Sequence, residues 1–402
     1  MVQKPRLGLF CFKDYNTMSY LMSNYAPLDV TFIQGNGCYL TDTKGRQYFD
    51  ALCGVGVTGL GHAHPVITKA IQSQAEQLLH TSNWYHIEHQ EALAEKLCTL
   101  SNMDNAFFGN SGAEANEAAI KIARLHGHAN NIDNPVILTA NQSFHGRTMA
   151  TLSATGNPKV QAGFTPLVSE FIYVDFNNVA AIKQHVNNAN VVAVMLEPIQ
   201  GESGVIIPGN TYLNQVQAIC KDNNWLLILD EVQTGIGRTG KLFAHQYNNI
   251  TPDVLTLAKG LGNGVPIGAC LAKGDAAKLL TPGTHGSTFG GNPLVCRTAL
   301  SVLAVIDQDN ILNNVNKVSS YIASNLNKKL QNNTTVTEIR IKGLMIAIEL
   351  NQPCMQLLQQ ALDQQLLINI TGQSIRLLPP LIMNTQQADS MIDTICKLID
   401  AL

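Results

Sequence analysis

Three short apolar runs in this chain end on side chains capable of chemistry. Ala106-Phe107-Phe108 leads into Asn110-Ser111-Gly112, Leu226-Leu227-Ile228-Leu229 into Asp230-Glu231, and Val254-Leu255-Thr256-Leu257 into Ala258-Lys259. A lysine at the end of a buried run loses hydration, which lowers its pKa and favours a neutral, nucleophilic amine. The glycines that follow it, Gly260, Gly262 and Gly264, would let a flat ligand lie against the backbone. A lone lysine at a strand end is more often a surface residue with its stem along apolar neighbours, so Lys259 gains weight from its company.

A carboxylate at the end of a buried strand is costly unless it meets a cation. Asp230 is such a group, and a protonated pyridine nitrogen, a structural salt bridge or a magnesium ion would each answer it. Ser111-Gly112-Ala113-Glu114 opens a periodic run from Ala115 to Gly127, with Ser111 as N-cap and Glu114 as its capping-box partner. Free backbone N–H groups and the helix dipole suit a phosphate there, and an ordinary well-capped helix would look the same.

Two glycine patterns point elsewhere and are disfavoured. Gly235-Ile236-Gly237-Arg238-Thr239-Gly240-Lys241 has the G-x-x-x-x-G-K spacing, but Leu242 stands where a hydroxyl would hold magnesium in an NTPase. Gly54-Val55-Gly56-Val57-Thr58-Gly59 matches G-x-G-x-x-G, yet the following Leu60-Gly61-His62-Ala63-His64-Pro65 cannot continue as the helix a dinucleotide site needs. His62 and His64 have metal-ligand chemistry, but capping or packing about the helix that Pro65 starts is the stronger reading, and no metal site is expected.

These positions need a frame. Apolar runs at Ala106–Phe108, Val136–Leu138, Phe171–Val174, Val191–Leu196, Leu226–Leu229, Val254–Leu257 and Ile267–Leu271 alternate with helical periodicity, the pattern of parallel strands with crossover helices. Their continuous apolarity says that both sheet faces are covered, and ligands of such sheets bind beyond the carboxyl ends of the strands. The expected fold class is α/β. A large domain over residues 51–305 holds a mostly parallel seven-stranded sheet, and a smaller α+β domain over 306–402 has strands near Glu338–Leu350 and Ile375–Leu377 and helices at 311–330 and 385–401. Residues 18–50 are expected to pack with the small domain. Residues 1–17 read as a disordered extension, or as lying upstream of a true start at Met18.

Composition narrows the function classes. With 402 residues, 45% of them hydrophobic, the chain can bury a large core. Lys and Arg total 26 against 29 Asp and Glu, which leaves no broad basic surface for nucleic acid. No apolar run approaches the roughly 20 residues needed to span a bilayer. Nine cysteines, odd in number and without a C-x-x-C pair, argue against a disulfide framework or a zinc site and fit a reducing cytoplasm.

With a phosphate cradle, a strand-terminal aspartate and a strand-terminal lysine in chain order, the sequence resembles the class III, fold-type I aminotransferases from about Tyr25 to the C-terminus. The resemblance rests on Asn110 to Glu117 (NSGAEANE), Phe144-His145-Gly146-Arg147-Thr148, Glu197-Pro198 with Gly201-Glu202, Asp230 to Gly235, Ala258-Lys259-Gly260, and Gly286 to Pro293 (GSTFGGNP). It implies pyridoxal 5'-phosphate (PLP) as cofactor, carried by Lys259 as a Schiff base, with Lys259 also the catalytic base. It further implies that Asp230 pairs with the pyridine nitrogen, Gln233 contacts the ring oxygen, Ser111, Gly112 and Ala113 hold the phosphate, and Phe144 stacks on the ring. Thr288 would reach the phosphate of the neighbouring subunit's cofactor in a homodimer.

Within the class, Tyr25-Ala26-Pro27, His80-Thr81-Ser82-Asn83-Trp84-Tyr85 and Arg147 resemble the acetylornithine enzymes. That likeness implies ping-pong exchange between N-acetylornithine and 2-oxoglutarate in arginine biosynthesis. Arg147 would take the α-carboxylate, Ser287 would stand among the substrate residues, and Glu202 and Arg376 would form a switch pair. A fixed salt bridge is the plain alternative for that pair. Ornithine, succinylornithine, succinyldiaminopimelate and 4-aminobutyrate enzymes share most of these residues, and a catalytically silent PLP-fold binding or regulatory protein is the alternative of another class.

Overall fold

A computed structural model of the protein describes residues 20–402, so the readings of residues 1–17 and of a start at Met18 lie outside the described residues. The described chain begins with three short antiparallel strands, β1 (Phe32–Asn36), β2 (Tyr39–Asp42) and β3 (Gln47–Asp50). Each of the seven apolar runs is then a strand: β4 (Asn105–Gly109), β5 (Val136–Ala140), β6 (Phe171–Val174), β7 (Val191–Leu196), β8 (Leu226–Asp230), β9 (Val254–Leu257) and β10 (Gly268–Ala272). They form one sheet in the order β4-β10-β9-β8-β7-β5-β6.

The five strands from β9 to β6 are mutually parallel, while β10 is antiparallel to both β9 and β4. β4 therefore runs with the central strands, and its carboxyl end opens on the same edge as those of β7, β8 and β9. That shared edge brings distant residues to one place. Every residue of β5, β7, β8, β9 and β10 is buried. The pleat divides them between two faces: Leu138, Val194, Leu227 and Leu229 join one core cluster, and Ile137, Ala193, Met195 and Ile228 the other. The helix Gly112–Ala129 covers the second face with Ala115, Ala119 and Ala123, small residues that let it lie close, and with Ile122. The first face is covered by Leu213 and Val216 of the helix Tyr212–Asp222 and by Ala299, Val302 and Leu303 of the helix Pro293–Gln308.

Beyond the helix Ile311–Leu330 come β11 (Val336–Lys342), β12 (Met345–Leu350), β13 (Leu366–Leu367), β14 (Asn369–Thr371), β15 (Ser374–Leu377) and the helix Thr385–Asp400. Four of these strands form a sheet in the order β11-β12-β15-β14, and β13 pairs in parallel with β3, completing the first sheet. No helix among the described residues is long and apolar enough to cross a membrane.

Both glycine patterns are structural turns. Gly235 to Lys241 feeds no α-helix; the next regular element is the single 3-10 turn Ala244–Tyr247. Arg238 is buried inside that segment and donates from Nη1 to the carbonyls of Leu344 (3.3 Å) and Pro379 (2.5 Å), tying it to the C-terminal strands. In the other pattern Gly54 and Val55 have φ of 61° and 66°, left-handed values that interrupt a helix, and regular helix begins only at Pro65. His62 bonds Asp50 through Nε2 at 2.7 Å, and His64 occupies the N-cap position of that helix without a side-chain cap bond.

The segment after β8 hangs on Glu231, which is fully buried. Its carboxylate accepts from Ala244 N (2.6 Å), His245 N (2.8 Å) and His245 Nδ1 (2.8 Å). Glu231→Ala would leave these donors buried and unmet, and we expect the protein to lose about 3 kcal/mol or more in urea denaturation. A loss below about 1 kcal/mol would show that the segment is held by other contacts.

Candidate active site

The carboxyl edge of the seven-stranded sheet opens into a cavity of about 470 Å³. Ser111, Gly112, Ala113, Phe144, Arg147, Glu202, Asp230, Gln233 and Lys259 all line it. Three expected residues do not. Arg376 stands behind Glu202, Ser287 behind Asn110, and Thr288 lines a separate surface depression with Trp84.

Asp230, the last residue of β8, is 4% exposed and hydrogen-bonded at both oxygens. Its Oδ2 accepts from Asn116 Nδ2 and bonds His145 Nδ1, each at 2.8 Å, and its Oδ1 accepts from Val232 N at 3.0 Å. Asn116 is itself oriented by Thr256 of β9, whose Oγ1 donates to its Oδ1 at 2.7 Å. Burial pulls the His145 imidazole down in pKa, but its bond to Asp230 and that carboxylate's charge, with Glu197 adding, more than reverse this. His145 is thereby disposed to carry a positive charge against Asp230. Residue type and spacing alone do not single out His145 and Asn116. Their one signal is position inside the motifs FHGRT and NSGAEANE.

Glu197 follows β7 with its carboxylate between two loops. Its Oε2 accepts from Phe144 N at 3.0 Å and its Oε1 from Gly201 N at 3.3 Å, so one side chain ties the loop carrying Phe144 and Arg147 to the loop carrying Glu202. Burial pushes this carboxyl up to about 7, with the charge of Asp230 adding and His145 and the two N–H groups opposing.

Lys259 adopts φ of 43° just beyond β9, a left-handed value that turns its side chain off the strand line. Its side-chain amine makes no hydrogen bond among the described residues. Burial lowers its pKa, the charge of Arg376 assisting, while Glu202, Asp230 and Glu197 pull it up. The result is an amine disposed to lose its proton.

At the start of the helix Gly112–Ala129, Ser111 Oγ accepts from Glu114 N at 3.1 Å, as expected of an N-cap. Glu114 departs from the capping box. Its Oε2 accepts from the backbone and side-chain nitrogens of Asn110, one residue earlier, which leaves the Ser111 N–H out of the box. The N–H groups of Gly112 and Ala113 have no acceptor within the helix and face the cavity side of the sheet edge. Close packing fixes this turn: a Cβ on Gly268 would sit 2.1 Å from Ser111 O, and one on Gly112 would sit 2.7 Å from Val232 Cγ1.

Arg376, 1% exposed, donates from Nη1 to Glu202 Oε1 at 2.8 Å, so the expected pair is formed. Burial raises the Glu202 pKa, but the Arg376 charge and bond outweigh it and hold the carboxyl below its ordinary range. Gln233 Nε2 donates to the same Glu202 oxygen at 3.3 Å, leaving Gln233 Oε1 buried with no donor among the described residues. Arg147, by contrast, is exposed at the cavity mouth over the Phe144 ring, 5.6 Å from its centroid, with no carboxylate bound to it among the described residues.

Residues 20–399 match the family model "Aminotransferase class-III". The chain belongs to the class III aminotransferases. Its cofactor is therefore PLP, and it is an enzyme of amino-group transfer. Among its relatives, the acetylornithine aminotransferase of Nitrosomonas europaea is 51% identical, over 95% of this chain and 98% of that protein. The ornithine aminotransferase of Toxoplasma gondii superposes with a TM-score of 0.92 at 32% identity, covering 95% of this chain and 93% of that one. The acetylornithine aminotransferase of Elizabethkingia anophelis does so with a TM-score of 0.86 at 34% identity, covering 95% and 96%. The fold of the class III aminotransferases is thus spread over nearly the full length of this chain.

The raised Glu197 carboxyl has a consequence for stability. Unfolded, it titrates near 4.5; folded, near 7, so the folded apoenzyme holds the proton through that window. Its contribution is full below the lower value and is lost as pH rises toward the upper one. Glu197→Gln should flatten the corresponding fall in apoenzyme melting temperature, and an unchanged profile would mean that another group sets it.

Proposed function

We propose that this aminotransferase moves the distal amino group of N-acetylornithine to 2-oxoglutarate, in two ping-pong stages, giving N-acetylglutamate 5-semialdehyde and glutamate as in arginine biosynthesis. The observation that carries the reading is the contrast between two arginines. Arg376, behind the cavity wall, is neutralised by Glu202 at 2.8 Å, whereas Arg147 lines the cavity with no carboxylate bound among the described residues. A donor whose reacting carbon bears no carboxylate meets a neutral wall at Glu202–Arg376, while its distant α-carboxylate finds Arg147. In the second stage Glu202 turns away, and Arg376 receives the α-carboxylate of 2-oxoglutarate. The relatives named for acetylornithine support the same donor.

The residues present suit PLP. Gly112 and Ala113 offer unmet N–H groups at a helix start, with Ser111 beside them, for the phosphate. Gln233 Oε1, buried without a donor, suits the ring hydroxyl. Asp230, with His145 and Asn116 on its other oxygen, suits a protonated ring nitrogen, and Phe144 offers a face to the ring. When bound, PLP supplies an electron sink that makes the proton on the amino-bearing carbon removable. Lys259 carries the cofactor at rest, and once freed its Nζ takes that proton and delivers it again inside the cavity. Asp230 keeps the ring nitrogen charged throughout, Arg147 fixes the donor's reach, and Glu197 holds the Arg147 and Glu202 loops at a set spacing.

Thr288 and Ser287 suit a homodimer. They lie on a surface segment with Phe289 (59% exposed) near Trp84 (89% exposed), apolar area that a second copy would cover, bringing Thr288 to the partner's phosphate and Ser287 to its substrate. We further read residues 51–305 as the PLP-binding domain and 306–402, joined by 18–50, as the small domain; the β3–β13 pairing supports that joining. A cytoplasmic setting accords with eight free, buried cysteines among the described residues.

Single-turnover absorbance of the holoenzyme tests the donor. N-acetylornithine should bleach the bound cofactor faster than ornithine, succinylornithine, succinyldiaminopimelate or 4-aminobutyrate, and a faster 4-aminobutyrate would overturn the assignment. Lys259→Ala should bind PLP without a covalent bond and lose turnover by at least about a thousandfold. An active variant would remove Lys259 from its role.

A further inference from the structure

Arg376 has five N–H donors and sits where water cannot serve them. β14 and β15 are antiparallel neighbours, and their register sets Asn369 directly opposite Arg376. Asn369 Oδ1 accepts from Arg376 Nε at 3.2 Å and from Nη2 at 2.9 Å. Thr371 Oγ1 donates to the same oxygen at 3.2 Å, so three donors fix which end of the amide faces the arginine. Gly201 O accepts from Nη1 at 2.9 Å.

The partners of Arg376 thus fall into two kinds. Asn369 and Gly201 are neutral and fixed by strand register or backbone. Glu202 is charged, and its side chain is 34% exposed toward the cavity. If Glu202 turns away, the guanidinium keeps its neutral acceptors on the Nε and Nη2 edge and at Nη1. It stays where it is, and its positive charge becomes uncompensated. A second carboxylate in place of Asn369 would make the same bonds but cancel the charge permanently.

We propose that Asn369 is the positioning residue of the Glu202–Arg376 pair: a neutral acceptor that anchors the guanidinium while leaving its charge free for an incoming α-carboxylate. The inference rests on the reading of Arg376 as the carboxylate site given under Proposed function. It assigns residue 369 an effect on one half-reaction and much less on the other. Glutamate and 2-oxoglutarate need the uncompensated charge, whereas N-acetylornithine reacts while Glu202 and Arg376 remain paired.

The two half-reactions of the holoenzyme can be followed separately by absorbance, with glutamate or with N-acetylornithine as the amine. In Asn369→Asp, close in shape to the original, the second-order rate with glutamate should fall at least about tenfold further than the rate with N-acetylornithine. Asn369→Ser, too short to reach the guanidinium, should show the same preferential loss by letting Arg376 drift. Equal changes in both half-reactions for both variants, or no change, would overturn the proposal. So would failure of both variants to fold with PLP, which would make Asn369 a residue of the fold. Arg376→Gln separates the two levels. If it spares glutamate as much as N-acetylornithine, the carboxylate-site reading itself fails; if it selectively loses glutamate while the Asn369 variants do not, only the role of Asn369 fails.

Discussion

Asp230 is a carboxylate at the end of a strand with no exposed residue, and a charge so placed must be met by donors from its surroundings. The donors come from separate stretches of the chain: Asn116 from the helix that starts at Gly112, His145 from the loop after β5, and Val232 from the backbone just beyond β8. Satisfying one carboxylate therefore fixes three pieces of the cavity at once. The link from Thr256 of β9 to Asn116 brings in the strand that leads to Lys259. The helix start suited to a phosphate, the loop bearing Phe144 and Arg147, and the strand leading to the lysine are held in mutual register because each contributes to, or is tied to, the shell of that carboxylate.

Glu197 complements this arrangement from the neighbouring strand. It is also buried at a strand end, but it is hydrogen-bonded only by two backbone N–H groups, and burial leaves it with a carboxyl pushed up to about 7 against the opposing charge of His145. Two carboxylates at the ends of adjacent strands thus have different hydrogen-bond partners. The one beside His145 is hydrogen-bonded at both oxygens by an imidazole, an amide and a backbone N–H. The other serves as a clamp between loops and holds its proton near neutrality, which limits the negative charge facing Lys259.

Strands buried on both faces write themselves into sequence as unbroken apolar runs, which is why all seven sheet strands could be read and why the polar residues at their ends marked the site. The same uniformity hides direction. Ile267 to Leu271 looks the same whether it runs with or against its neighbours, and only the pairing of β10 with β4 and β9 shows it reversed. Contacts made by single polar side chains across loops are equally invisible. Nothing in a lone histidine between Phe144 and Gly146 says that it meets Asp230, and Glu114 reaches Asn110 where its spacing suggests Ser111. Ser287 and Thr288 fall outside the cavity, in a separate surface depression, and their place in the motif does not show this.

The Glu202–Arg376 pair shows how burial can make one member of an ion pair stationary and the other movable. A guanidinium that is 1% exposed cannot leave its acceptors without stranding donors in a dry interior, so Asn369 and Gly201 O hold it regardless of Glu202. A carboxylate one-third exposed to a cavity can exchange its partner for water at modest cost, since solvent already screens much of the attraction. Gln233 bears on the same balance. Its Nε2 holds Glu202 at 3.3 Å, a long bond, while its Oε1 has no donor. A group that engages that oxygen fixes the amide and with it the second support of Glu202, so the place suited to the cofactor ring and the Glu202–Arg376 pair share one side chain.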